Sequence, residues 1–254
     1  MSVLKKLFGR SGTRTKPFVP DGLRIYAVGD VHGRFDLLQQ LTGLIERDLK
    51  QHSIERSLEI YLGDYVDRGP ESRAVLDYLS SAPSICDQRL CLKGNHDDIF
   101  QSFLHDSTVL MDWRGLGGLE TLFSYGISPP MTRDPDLAVK CQKQLLDIIP
   151  EGHVAFLRGL PLRAEFGSYL FVHAGLRPDR SKDSQNDDDL LWIREPFLSS
   201  RRDFGCIVVH GHTPRDNYEI RPNRINVDTG AYLSGRLTCA VLEGNATRFI
   251  QTGA

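Results

Sequence analysis

Carboxylate and imidazole side chains recur in this chain just after short apolar runs, each time beside glycine, asparagine or threonine. Residues 60–70 read Ile-Tyr-Leu-Gly-Asp-Tyr-Val-Asp-Arg-Gly-Pro, which crowds Asp64, Asp67 and Arg68 into a loop closed by Gly69 and Pro70. Two carboxylates and a guanidinium at one strand end make chemical sense if a cation takes a carboxylate and an anion takes the arginine. A plain surface turn with a salt bridge is the bland alternative. The motif does not stand alone. Asp30-Val31-His32-Gly33, Gly94-Asn95-His96-Asp97, His173-Ala174-Gly175 and His210-Gly211-His212-Thr213 sit in the same kind of place. Asp30, His32, Asp64, Asn95, His96, His173 and His212 form a mixed nitrogen and oxygen donor set, which suits Mn, Fe or Zn better than Ca or Mg. It contains no thiolate, which argues against a structural zinc site. These donors exceed the need of one ion with open positions. One carboxylate shared between two ions would use them, and Asp64 is the natural bridge. A lone histidine is more often a core or surface residue, but four at separate strand ends are not explained that way.

Such groups need rigid elements to carry them. Residues 23–29 form a buried-strand pattern, and 35–50 place Leu37, Leu38, Leu41, Leu44, Ile45 and Leu49 at helical spacing. A strand over 58–63, a helix over 72–80, a strand over 89–93 and a helix over 98–105 follow. This βαβαβ alternation implies parallel strands joined by right-handed crossovers. The ligand crevice of such a sheet lies beyond the carboxyl ends of its strands, where the charged motifs fall. Residues 108–160 break the alternation. Their glycine cluster, Trp113-Arg114-Gly115-Leu116-Gly117-Gly118, follows no clear strand and lacks a phosphate loop's Lys-Ser/Thr pair. It reads as a tight turn in an inserted, mainly helical subregion bordering the substrate cleft. From Tyr169 the pattern is strand-rich, with runs over 169–172, 206–209 and 225–227. A closing hairpin follows around Glu243-Gly244-Asn245. Residues 179–189, with Asp187, Asp188 and Asp189 in a row, read as a solvated loop.

The 254 residues are 40% hydrophobic and 25% charged, the composition of an ordinary soluble globular protein. A net charge of -2 gives no case for nucleic-acid binding. Five cysteines without paired spacing argue against a disulfide framework, and a reducing cytoplasm is the expected setting. Residues 1–22 form a basic tail carrying Lys5, Lys6, Arg10, Arg14 and Lys16 ahead of a single domain over 23–254. Val3, Leu4, Leu7 and Phe8 could give that tail a weak membrane-surface contact, but a disordered basic segment is the preferred reading, with order beginning at Leu23.

Gly29-Asp30-Val31-His32-Gly33, Gly63-Asp64-Tyr65-Val66-Asp67-Arg68-Gly69 and Gly94-Asn95-His96-Asp97 resemble the three signature motifs of the metallophosphoesterases. The middle one resembles the form in the phosphoprotein phosphatase family of serine/threonine phosphatases, bacterial and bacteriophage members included. His173-Ala174-Gly175 and Gly211-His212-Thr213 resemble the later metal-histidine motifs, and Trp192-Ile193-Arg194-Glu195 the stretch with a second phosphate-binding arginine. The resemblance implies an α/β fold of the calcineurin-like kind, a four-layer α/β/β/α sandwich with a dinuclear metal site at the C-terminal strand ends. It implies two divalent ions, Mn foremost and Fe or Zn as alternatives. Asp30, His32 and Asp64 would hold one, and Asp64, Asn95, His173 and His212 the other, His212 being preferred to His210. Arg68, Arg194 and Asn95 would bind phosphate. His96, oriented by Asp67, would be the general acid while a hydroxide held by the ions attacks phosphorus. The implied activity is a monomeric serine/threonine protein phosphatase acting on phosphoproteins or small phosphoesters. Symmetrical dinucleoside tetraphosphate hydrolysis is the alternative; enzymes of that group commonly carry alanine where this chain has Asp67. A non-catalytic metal-binding scaffold ranks lower, because His96, Arg68 and Arg194 are all present. Two departures stand out: Asp97 replaces the usual glutamate, and the family's late aromatic has only Tyr232 as a candidate.

Overall fold

The computed structural model describes residues 17–129, 132 and 134–253. The basic stretch 1–16, with its Val3, Leu4, Leu7 and Phe8, lies outside them. In chain order the elements are β1 (Leu23–Val28), α1 (Phe35–Gln51), β2 (Arg56–Tyr61), α2 (Ser72–Ser81), β3 (Gln88–Cys91) and α3 (Asn95–Phe103). Then come α4 (Leu110–Leu116), α5 (Gly118–Ser124), α6 (Pro135–Leu146), α7 (Glu151–Gly159), β4 (Arg163–Phe166), β5 (Tyr169–Val172) and α8 (Asp187–Trp192). The chain closes with β6 (Ile207–His210), β7 (Glu219–Arg221), β8 (Arg224–Asn226), α9 (Ala231–Ser234), β9 (Thr238–Glu243) and β10 (Ala246–Gln251).

One sheet has the order β10-β9-β1-β2-β3 and the other β4-β5-β6-β8-β7. Strands β1, β2 and β3 pair in parallel, as the alternation requires, and so do β5, β6 and β8. The two-residue period of a strand sorts β1 between two cores. Tyr26 and Val28 face the helices and pack with Leu38, Leu41 and Ile45. Ile25 and Ala27 face the other sheet and meet Phe171, Val209 and Ile225. With both faces covered, β1 is apolar at every position except Arg24. The far side of the second sheet packs Leu170, Val172 and Val208 against Leu190 of α8 and Phe197 of the loop beyond it. The layers are therefore helices, sheet, sheet and a thin fourth layer. Each fully buried Leu, Ile or Phe contributes about 1.5–3 kcal/mol, which fixes the strand ends relative to one another.

Four local expectations need correction. Order does not begin at Leu23: Val19 is fully buried in the inter-sheet core, and its amide donates to Gly244 O at 2.7 Å. Helix α3 starts at Asn95 rather than at residue 98, because the Asp97 carboxylate accepts from the Gly94 amide at 2.9 Å and closes the first turn. The glycine cluster is no simple turn but the corner between α4 and α5, made at left-handed Gly117. Residues 187–189 begin α8, and Asp189 is buried beneath Arg177 (2.6 Å) and Arg180 (3.5 Å) rather than solvated. Strands β4 and β7 escaped the sequence reading because they are edge strands of only three or four residues, with charged side chains at half or more of their positions. The five cysteines are free, as expected. Among the described residues no helix is long and apolar enough to cross a membrane.

Candidate active site

The carboxyl ends of the parallel strands of both sheets open on one edge. Beyond β1 lie Asp30 and His32, beyond β2 Asp64, beyond β3 Asn95 and His96, beyond β5 His173, and beyond β6 His212. All seven are buried. Asp64 is their meeting point: its Oδ1 lies 3.4 Å from His173 Nε2, and its Oδ2 lies 3.4 Å from His32 Nε2 and 3.9 Å from His96 Nε2. Asn95 Oδ1 lies 2.9 Å from both His173 Nε2 and His212 Nδ1. Two groups therefore have ligand atoms within 4.8 Å of one another, His32–Asp64–His96 and Asp64–His173–His212, and Asp64 belongs to both. Asp30 borders them and accepts from the His212 amide at 3.0 Å. His210 turns away, its Nδ1 3.0 Å from Gly211 O and its ring against Phe197 at 5.0 Å.

The backbone is forced into this shape. His32, Asp64, Asp67, Arg68 and His212 all have positive φ, between 46° and 72°, and they are the non-glycine residues that do so among those described. Such strain, of order 1–3 kcal/mol each, survives only where the surroundings over-determine it. Asp97 supplies one determinant: its Oδ2 accepts from the Asp64 amide (2.8 Å) and its Oδ1 from the Tyr65 amide (2.9 Å). The shorter aspartate thus does clamp the central loop. Glycine is needed nearby for space. A Cβ on Gly94 would lie 2.2 Å from Asp64 Oδ1, and one on Gly211 would lie 2.0 Å from Asp30 Oδ1.

Hydrogen bonds set the tautomers. His32 Nδ1 faces Val66 O at 2.8 Å and His173 Nδ1 faces Leu62 O at 2.9 Å. A carbonyl only accepts, so Nδ1 carries the proton and Nε2 turns toward Asp64, the arrangement usual for a metal-ligating histidine. Burial holds His32 well below its ordinary value, and burial with the neighbouring His173 charge pushes His212 down to about 3. Burial opposes ionisation of Asp64, yet His173 and His96 beside it hold its carboxyl well below the usual carboxylate range. Burial likewise disfavours a charged His173, but Asp64 raises it to about 10. The cluster thus recruits positive charge onto an imidazole. Imidazole nitrogens gathered around an ionised central carboxylate, with an amide oxygen and a second carboxylate at the edge, form a donor set that fits divalent transition-metal ions.

Beside the cluster is a buried histidine–aspartate pair. His96 Nδ1 lies 2.7 Å from Asp67 Oδ2, so its Nε2 faces the site. Burial opposes the His96 cation, but Asp64 and Asp67 raise its pKa above the ordinary value. Arg68 lies 3.0 Å from both His32 Nε2 and His96 Nε2 and stacks on Tyr232 at 4.8 Å, which places the candidate late aromatic at the site. Arg194 is exposed, and its charge contributes to lowering His212; Trp192 stands nearly perpendicular to the same imidazole, with ring centroids 6.4 Å apart. Three residues went unforeseen. Trp113 and Thr121 donate to the Asp67 carboxylate, and buried Asp228, raised to about 6 by burial, adds to the upward shift of Asp30. A buried tryptophan next to a glycine corner was the available signal, since an indole N–H seeks an acceptor.

The profile of the calcineurin-like phosphoesterase family matches residues 23–239. The asymmetrical bis(5'-nucleosyl)-tetraphosphatase PrpE of Anoxybacillus flavithermus is 28% identical over 232 residues, covering 83% of this chain and 87% of that protein. PrpE of Geobacillus thermodenitrificans is 26% identical over 240 residues, covering 85% and 89%. A crystal structure provisionally described as a diadenosine tetraphosphatase superposes with a TM-score of 0.63 at 23% identity, covering 93% of this chain and 98% of that one, a likeness of fold.

Proposed function

The chain belongs to the calcineurin-like phosphoesterase family, and from that premise we propose that it hydrolyses phosphate monoesters of serine or threonine side chains with the help of two divalent ions. Asp30, His32 and Asp64 would hold one ion and Asp64, Asn95, His173 and His212 the other, with manganese the first candidate and iron or zinc the alternatives. Bound ions would supply charge to the phosphate oxygens and a water activated near neutral pH. The residues of the chain do the rest. Arg68 and Arg194 take phosphate oxygens through planar N–H pairs. Asp67 holds the His96 ring by Nδ1, and the Nε2 proton goes to the departing oxygen.

The observation that carries this reading is the 2.7 Å pair of His96 and Asp67 at the edge of the ligand cluster. A built-in acid is needed when an alkoxide leaves and contributes little when a stable anion leaves. His96→Asn is therefore expected to cost about 10²–10⁴-fold on a serine phosphate peptide. Its loss on p-nitrophenyl phosphate should be clearly smaller, with metal content unchanged. Equal losses, or a missing ion, would assign His96 to the ligand group it also borders. Hydrolysis of dinucleoside tetraphosphates is the second reading, favoured by the relatives named asymmetrical tetraphosphatases. Their name, unlike the symmetrical cleavage considered from sequence, denotes unequal products. Turnover of phosphoproteins and of diadenosine tetraphosphate, measured side by side, separates the two.

A further inference from the structure

The corner between α4 and α5 grips the turn that carries Asp67 and Arg68, two consecutive residues with φ of 72° and 69°. Asp67 Oδ1 accepts from Thr121 Oγ1 at 2.7 Å and from Trp113 Nε1 at 3.0 Å; its Oδ2 accepts from the same indole at 2.9 Å and faces His96 at 2.7 Å. The Thr121 hydroxyl also accepts from the Asp67 amide at 2.9 Å, so one side chain closes on both ends of that residue. The Arg68 amide then donates to Gly117 O at 3.1 Å. Packing accounts for part of this. The Trp113 ring lies 5.2 Å from that of Phe100 and 5.0 Å from that of Phe103, which explains a large aromatic but not an indole N–H aimed at a carboxylate.

We propose that Trp113 and Thr121 are positioning residues for proton transfer. They lock the rotation of the Asp67 carboxylate, so that the His96 ring keeps Nδ1 on Asp67 and presents Nε2 to the leaving-group oxygen. This rests on His96 being the acid. A carboxylate held by one imidazole alone can swing about its Cβ–Cγ bond and carry the ring with it. Three donors from two helices and the imidazole leave it one orientation.

The test uses the full chain carrying Trp113→Phe, which keeps the ring, Thr121→Val, which keeps the shape, and Thr121→Ser, which keeps the hydroxyl. Trp113→Phe and Thr121→Val are expected to lose about 10–100-fold on a serine phosphate peptide, the cost usual for outer-shell partners, and distinctly less on p-nitrophenyl phosphate. Thr121→Ser should stay near the parent, all three should bind metal normally, and neither loss should add to that of His96→Asn. Equal losses on both substrates, or losses that multiply with His96→Asn, would reduce the corner to a fold support and overturn the proposal. If Trp113→Phe does not fold, the Thr121 pair decides alone. If His96→Asn itself shows no leaving-group dependence, the acid reading falls and the proposal with it. A dependent His96→Asn with indifferent corner variants rejects only the positioning role.

Discussion

Asp64 reaches His173 with one carboxylate oxygen and His32 and His96 with the other, so a single substitution tests both halves of the cluster. Asp64→Ala is expected to abolish turnover and most metal binding. Two ions at parental affinity in the purified variant, by elemental analysis, would reject the bridge. The residues around Asp64 were legible in sequence for a local reason: each follows its own strand by one to five positions, with a glycine no more than two positions away. Asp67's supports were not. Trp113 is 46 positions away and Thr121 is 54, and nothing in either neighbourhood names the carboxylate that it reaches.

The α4–α5 corner meets the site through Gly117, whose φ of 103° and tight approach exclude a side chain. An added Cβ would stand 2.8 Å from Arg68 Cγ and 3.0 Å from Arg68 N. Gly117→Ala should cost at least the roughly 1–2 kcal/mol of a left-handed residue. It should also raise the KM for phosphate esters, because Arg68 must move. Lower thermal stability with an unchanged KM would show that Arg68 is held elsewhere. A second contact joins the helices behind the corner. His153 of α7 lies 2.7 Å from the Tyr125 hydroxyl after α5 and 2.9 Å from Asp77 of α2, while Arg73 of α2 stacks on Tyr125 at 5.7 Å. Burial lowers the pKa of His153, with Asp77 offsetting part of the effect. A histidine lowered in the folded state contributes stability above its unfolded value of about 6.5 and loses it as pH falls through the folded value. Melting temperature should therefore drop on acidification below about pH 6.5, and His153→Gln should flatten that slope. An identical slope in the variant would clear His153 of the effect. Long elements with a clear period, such as α1 and β1, could be read directly. The corner could not, because Gly117 breaks a run whose two helices hold only seven residues each.

At the scale of the molecule, the two sheets bring buried carboxylates from distant segments together. Asp30, Asp64, Asp97 and Asp228 lie at one edge; burial pushes all four up, and only at Asp64 do the neighbouring histidines reverse it. Divalent ions bound there would be linked to folding. A ligand at 100 times its Kd stabilises by about 2.7 kcal/mol. In a chain of this size each kcal/mol moves Tm by roughly 2–4 °C. Chelation should lower Tm by about 5–10 °C, and added manganese should restore it. A Tm indifferent to both would argue against resident ions, independently of any activity. The layer order followed from sequence pattern together with the family resemblance. The pairing of β9 beside β1 did not, since a hairpin signal fixes its own register and not its neighbour.

That pairing has a consequence for how the protein is made. Arg24 on β1 bonds Glu243 on β9 at 2.6 Å across 219 positions of chain. At about 5–20 residues per second, β1 leaves the ribosome roughly 10–40 s before the strand that covers its second edge. Through that interval β1 can pair with β2 alone, and its other row of amides and carbonyls is open to any strand that passes. The first strand translated is among the last to be closed, and the loop bearing Asp30 and His32 waits with it.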